Sequence, residues 1–412
     1  MRFLALSAVL SAATAYHVTS LSAERATRHH TVAMMAKSKK DPRVWLPQRS
    51  SPFAREVDVA LQLVSRAAAG LVKEGVSLQV ANAAAQALVC DGIHSEFADD
   101  VVVASEGAAT CDGDAQKAAL EIINELGATT PCVNSYEPPY PDAVRATELS
   151  ADTLTATLEK VKGMTFGPER TWLLAPIIET AQPAISLTLL EFGRPVMCAV
   201  ALPKMPRNAM SGDKLLRMTV SFDGQSGALR PDDGVIMWAE ENKGAYERSI
   251  AGDHGTDVPV RVDRSLIGKR NIATGQVTGV QDFVGVTRCE DAAHPSAASL
   301  ATALGMGEAV QPSGGPFAYG LVARGEAQTY FELPDAADNF DSHAWAHAAG
   351  TLLVTEAGGL VTDTSGNPLD FSLCRDGAKL PAHVVGVLAT NKDVHPDVVR
   401  QLGLSSMEAA AK

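Results

Sequence analysis

The stretch Asn339–Phe371 reads NFDSHAWAHAAGTLLVTEAGGLVTDTSGNPLDF, and its periodicity decides how the remaining chain is read. From about Ser342 to Ala357, the apolar residues Trp345, Ala348, Ala349, Leu352 and Leu353 recur at helical spacing, and Gly358-Gly359 stand where a helix ends. Leu360-Val361-Thr362-Asp363 follows as a short strand, and Ser365-Gly366-Asn367-Pro368 gathers several turn formers. The unit is a buried helix, a glycine elbow, a strand and a turn.

Outward from this unit, the composition is that of a globular chain. With 412 residues, 46% of them hydrophobic, there is ample chain for a core and a prior of about two to three domains. Disordered and fibrous classes are excluded. The first fifteen residues carry Arg2, an apolar run from Phe3 to Leu10, and Ala13-Thr14-Ala15, the pattern of a signal peptide with a small-residue cleavage site. That run is short for a membrane span. Residues 16–40 are rich in Ser, Thr, Arg and His with Glu24 as their one acid, the composition of an organelle transit peptide. The pair resembles the bipartite address of algae with complex plastids, so a plastid destination is expected, with the secretory pathway as the alternative. No transmembrane anchor is expected in the mature chain.

The net charge is −13, and residues 1–40 hold six of the 35 bases but one of the 48 acids, so the mature chain is more acidic still. Such a surface repels polyphosphate backbones, and nucleic acid is not an expected partner. The cysteines Cys90, Cys111, Cys132, Cys198, Cys289 and Cys374 lie far apart with no C-x-x-C pair, which suits free thiols better than a zinc site. Nucleotide-binding G-x-x-x-x-G-K and G-x-G-x-x-G patterns, H-E-x-x-H and G-x-S-x-G are all missing. Asp335, Asp338 and Asp341 cluster before the decisive helix and read as a solvated loop.

Further elements follow from pattern. Pro52–Lys73 is an amphipathic helix with Val57, Leu61, Val64, Ala68 and Leu71 on one face, and helices are expected over Asp114–Leu126 and about Ser150–Val161. Ile185–Leu190 and Val196–Leu202 read as strands around Glu191-Phe192-Gly193-Arg194-Pro195, and Val235–Trp238 and Gly244–Tyr246 as two more.

Trp345, His347-Ala348-Ala349-Gly350 and Glu356-Ala357-Gly358-Gly359 resemble the C-terminal signature of the inositol monophosphatase superfamily, and within it of the 3'(2'),5'-bisphosphate nucleotidases. The resemblance extends over about residues 50–400. It includes Val80, Ala81, Gln86, Phe97, Asp99, Asp100, Val102 and Val103, then Trp172, Leu174, Pro176, Ile177 and Thr180, and later Tyr319, Leu321, Ala323, Gly325, Tyr330, Leu333 and Pro334. It implies an α/β class, a layered α+β sandwich of alternating helix and sheet layers, with an N-terminal half at 41–250 and a C-terminal α/β half at 251–412. Residues 315–319 are similar to a Ser-x-x-Lys-Tyr strand of the family, and the residues from there to Pro334 to the helix–strand step that follows it.

The same resemblance places functional positions, and here the chain departs. Gln79 and Asn82 stand where the family has the Thr and Asp that orient the attacking water. Ser105 and Glu106 occupy the paired glutamates, Ala175 and Ile178 two metal-binding aspartates, and Ala346 the aspartate after the tryptophan. Magnesium requires hard oxygen ligands, which methyl and sec-butyl groups do not supply. Of that set Glu106 remains, a weak ligand by itself. Glu179 replaces the glycine before Thr180 at a helix start that in the family receives phosphate, so its carboxylate would compete with an incoming anion. His294 and Ser296 match substrate-contacting positions, while Gly315, Ala318 and Glu332 stand where the family has Ser, Lys and Arg.

The implied function is a nucleotidase-like protein that has lost metal-dependent catalysis, a pseudoenzyme with a binding, assembly or regulatory role and a protein partner in the plastid. No cofactor is expected in that case. The alternative is an active Mg2+-dependent phosphatase acting on 3'-phosphoadenosine 5'-phosphate, an inositol phosphate or a sugar phosphate through ligands at other positions.

Overall fold

A computed structural model describes residues 51–71, 76–104, 113–129, 149–161, 169–175, 183–205, 234–250, 257–262, 285–287, 310–312, 315–333, 340–374 and 378–410. Ser51–Lys412 forms one compact unit. The expected leader at 1–40 lies outside the described residues, as do Cys111, Cys132, Cys289, Asp335 and Asp338.

In chain order the elements are α1 (Ala54–Leu71), α2 (Leu78–Glu96), β1 (Val101–Ala104), α3 (Gly113–Thr129), α4 (Ala151–Val161), β2 (Arg170–Ala175), β3 (Ile185–Glu191), β4 (Arg194–Leu202), β5 (Val235–Glu240), β6 (Gly244–Ser249) and β7 (Val258–Pro259). Then come β8 (Gly285–Thr287), β9 (Val310–Pro312), α5 (Gly315–Ala323), β10 (Thr329–Glu332), α6 (Ala344–Glu356), β11 (Gly359–Asp363), β12 (Val387–Asn391) and α7 (His395–Ala410). A one-turn 3-10 helix, Phe371–Leu373, precedes β12. No described helix is long and apolar enough to cross a membrane.

Among the described residues, seven strands form one sheet in the order β1-β2-β3-β4-β5-β6-β7, and five form another in the order β11-β12-β10-β8-β9. In the first sheet β1 runs parallel to β2 and the remaining neighbours are antiparallel. Strand alternation gives it two apolar faces. Trp172, Leu174, Leu187 and Leu189 join the main core with α1 and α2, while Val103, Leu173, Ala175 and Leu190 join a second cluster with Ala344, Trp345 and Ala348 of α6. Helices therefore cover both faces. α5 and α6 pack together, α6 also against β11, and α5 against β10 and β12; α7 lies against β12. The result is the expected α/β sandwich of alternating helix and sheet layers, with α5 and α6 buried between the two sheets.

The glycine elbow works as its sequence implies. Gly358 holds φ +98, and a Cβ on Gly359 would sit 2.7 Å from the Thr390 carbonyl and 2.6 Å from Val354. α6 therefore turns into β11 through a left-handed backbone at Gly358, which side-chain-bearing residues rarely adopt, and with room only for hydrogen at Gly359. Glu356, at the helix end, accepts hydrogen bonds from the backbone amides of Asn242 and Gly244, both at 2.8 Å, and so pins the β5–β6 hairpin to α6.

One segment differs from expectation. The stretch similar to a family strand is instead the start of α5, with Phe317 through Ala323 all buried. Gly-Pro at its first two positions suits a helix start, because proline fixes φ near the helical value and lacks an N–H that would be unpaired there. The burial on every side explains why no amphipathic period marks it.

Candidate functional site

The N-terminus of α6 is the point at which the sequence resemblance and the tertiary structure can be compared directly. Ser342, just before it, is hydrogen-bonded through Oγ to His347 Nε2 at 2.7 Å, and His347 Nδ1 to the Tyr319 hydroxyl at 2.8 Å. All three are buried. Burial and the nearby Glu332 carboxylate raise the Tyr319 pKa well above its ordinary value, so the phenol stays protonated. Gly350 lies directly against that ring: a Cβ there would be 2.2 Å from Tyr319 Cγ and Cδ2. Gly350 of the signature is thus a packing requirement of α5 on α6.

Ala346 and Ala175, from helix and sheet, meet the same apolar cluster. Ala175 ends β2, is 6% exposed and pairs with Ser186. It packs in one cluster with Val103, Leu173, Trp345, Phe371 and Cys374, and the half-buried Ala346 packs against that cluster. The Trp345 ring stacks on His343 at 4.2 Å with 13° between planes. Methyl groups and hydrocarbon offer no oxygen donors, so the described part of this site does not fit a magnesium ion. Among the described residues no group of three or more His, Cys, Asp or Glu side chains converges on a common metal position. Ser105, Glu106, Ile178, Glu179, Thr180, His294 and Ser296 lie outside the described residues.

The other predicted positions are dispersed. Gln79 is exposed in the first turn of α2, which Ser77 caps by accepting the Val80 amide at 3.3 Å. Asn82, three residues on and on the same side of the helix, has an enclosed Oδ1 with no hydrogen-bond partner among the described residues. Gly315 opens α5 at φ +43 with open space around it. Ala318 is fully buried on α5, and Glu332 is buried on β10, where it accepts the Tyr330 hydroxyl at 2.8 Å. The structure therefore brings Ala175 and Ala346 together, and places Ala318 and Glu332 inside the layer between α5 and the second sheet.

A feature that pattern reasoning missed closes the α6 N-terminus. The Ala344 amide donates to the Ala378 carbonyl at 2.8 Å, the Leu380 amide donates to the Ser342 carbonyl at 2.8 Å, and His343 pairs with Lys379 in an antiparallel bridge. Lys379 Nζ also holds Asp341, the exposed acid of the loop, at 3.0 Å and lowers its pKa. The contributing residues are more than thirty positions apart, and three residues carry no periodic signal.

Described cysteines are buried free thiols. Burial pushes Cys198 and Cys374 up to about 12 and Cys90 higher still, so none is a thiolate at neutral pH.

Residues 157–402 match the model of the Inositol monophosphatase family. The chain is 26% identical over 270 residues to a probable 3'(2'),5'-bisphosphate nucleotidase 4 of Arabidopsis thaliana, covering 63% of this chain and 66% of that protein. To the 3'(2'),5'-bisphosphate nucleotidase of Schizosaccharomyces pombe it is 30% identical over 217 residues, covering 50% and 52%. To that of Emericella nidulans it is 31% identical over 245 residues, covering 57% and 62%. The chain thus spans about half to two thirds of the length of the curated relatives it matches. Among solved structures, an IMPase of Thermotoga maritima superposes with a TM-score of 0.47 at 15% identity, covering 86% of this chain and 98% of that one.

Proposed function

Because the chain belongs to the Inositol monophosphatase family, we propose that it is a 3'(2'),5'-bisphosphate nucleotidase-like member that has lost metal-dependent phosphatase activity and serves a binding, assembly or regulatory role. The observation that carries this reading is the meeting of Ala175 and Ala346 at one apolar cluster. By the resemblance, both positions should present carboxylates to magnesium. Phosphoryl transfer with two cations depends on their offsetting charge on the attacking and leaving oxygens. A site walled by two methyl groups, Val103, Leu173 and Trp345 supplies no such charge, and Glu106 by itself would hold a cation weakly.

The proposed setting is the plastid, on the composition of residues 1–40, and the proposed partner is a protein. A fluorescent fusion of residues 1–40 tests the address; retention in the secretory pathway would overturn it.

The activity test uses the purified mature chain with MgCl2 and a panel of 3'-phosphoadenosine 5'-phosphate, inositol monophosphate and fructose bisphosphate. No phosphate release above a no-protein control is expected. Release at rates ordinary for a phosphatase, of order 1–1000 per second, would sink the proposal. In that event Glu106→Gln would show whether the remaining carboxylate carries the activity.

A further inference from the structure

We propose that the N-terminus of α6 and the facing ends of β1 and β2 form a sealed structural joint, closed by the chain's own strap at 378–380, which takes neither a divalent cation nor a phosphate. The inference rests on the family reading above only for where the cation would otherwise sit; the helix start that the same reading gives to phosphate, at Glu179-Thr180, is a separate one, and for α6 an anion is considered only because it is a helix N-terminus. A helix N-terminus becomes an anion site because its first amides lack partners and point outward. Here the first amide of α6, that of Ala344, already donates to Ala378, while the return bond from Leu380 to Ser342 fixes the strap from the other side.

Among the described residues, charge and packing act in the same direction. Lys379 neutralises Asp341, the described acid next to the helix start, at 3.0 Å. The N-cap residue His343 makes no capping bond through its side chain; its ring instead covers Trp345. Beneath the strap, Ala378 is 1% exposed and packs in the cluster that contains Ala175, Leu173 and Val103. Ala378 also holds φ +66, a left-handed conformation that a residue with a Cβ keeps only where its surroundings over-determine it. The strap is therefore built into the core. The two alanines at the family's ligand positions contribute packing that a carboxylate would disrupt, so restoring the carboxylates would not reopen a cation site.

The test is made on the full chain. Hydrogen-exchange mass spectrometry of peptides covering 340–348 and 376–383 should show the Ala344 and Leu380 amides exchanging only through global unfolding, with the thermal midpoint unmoved by millimolar MgCl2 or inorganic phosphate. Exchange by local opening, or a midpoint raised by either ion, would overturn the inference. Ala175→Asp should lower the midpoint by many degrees, with no recovery in MgCl2; recovery would show a cation site that opens when its ligand returns. The two proposals fail separately. Phosphate release with a protected strap refutes the lost activity alone, whereas an inactive protein whose midpoint rises with Mg2+ refutes the seal alone.

Discussion

Replacing Gly350 with alanine should destabilise the protein, although in an isolated helix the same change would stabilise it. The propensity gain is about 1 kcal/mol for a helix interior. Against it, the new Cβ would lie 2.2 Å from Tyr319 Cγ and Cδ2 and 2.7 Å from Cδ1, well inside any allowed contact. The ring has no free direction in which to move. It is fully buried, its hydroxyl is bonded to His347 at 2.8 Å, and its edge packs on Tyr330 with centroids 4.9 Å apart. Overpacking of this kind costs about 1–3 kcal/mol and sometimes more. Displacing the phenol from His347 would add about 1–3 kcal/mol for a buried group left unbonded. The net expectation is a loss of about 1–5 kcal/mol from a total near 10 kcal/mol. Urea unfolding should show the midpoint falling with little change in slope. Gly350→Ala combined with Tyr319→Leu should cost less than the sum of the single changes, since the smaller side chain leaves room for the methyl. A Gly350→Ala variant as stable as the parent would refute the packing argument.

Other consequences concern pH, the hairpin and the thiols. Burial lowers the pKa of both His94 and His395 from 6.5, so the unfolded chain takes up their protons first. Stability should therefore be complete above about pH 6.5 and fall as pH drops from there through the lowered folded-state values; His395→Gln should flatten part of that slope in pH-dependent unfolding. Glu356→Ala removes the acceptor of two backbone amides at 2.8 Å; it should cost about 1–3 kcal/mol and speed amide exchange at Asn242 and Gly244 well before global unfolding. Cys90, Cys198 and Cys374 should stay silent to a thiol reagent in the native state and react on unfolding; rapid native labelling at any of them would contradict their burial.

Most of the element order was legible along the chain. The helical spacing over Ser342–Ala357 appears as α6 at Ala344–Glu356, and the strands read around Glu191–Pro195 appear as β3 and β4 with Phe192 and Gly193 at positive φ in the turn. Such elements declare themselves because one face is apolar and the other is not. The start of α5 was read as a strand from its resemblance to the family's Ser-x-x-Lys-Tyr segment, and no amphipathic period spoke against it, because a helix apolar all round shows none. That positions 175 and 346 carry alanines, with no oxygen to offer a metal, was equally plain, since a side chain's capacity to bind a metal is a property of its own atoms.

What those positions do in the fold was decided elsewhere. No local pattern reveals that Ala175 on β2 and Ala346 on α6 reach one apolar cluster, that Gly350 makes room for a tyrosine 31 residues earlier, or that the Ala378 carbonyl takes the first amide of α6. Sequence by itself determined the local conformations and the chemistry each position can offer. Tertiary structure decided which of those positions meet, because contacts between residues far apart in the chain depend on the packing of whole layers, which local periodicity does not encode.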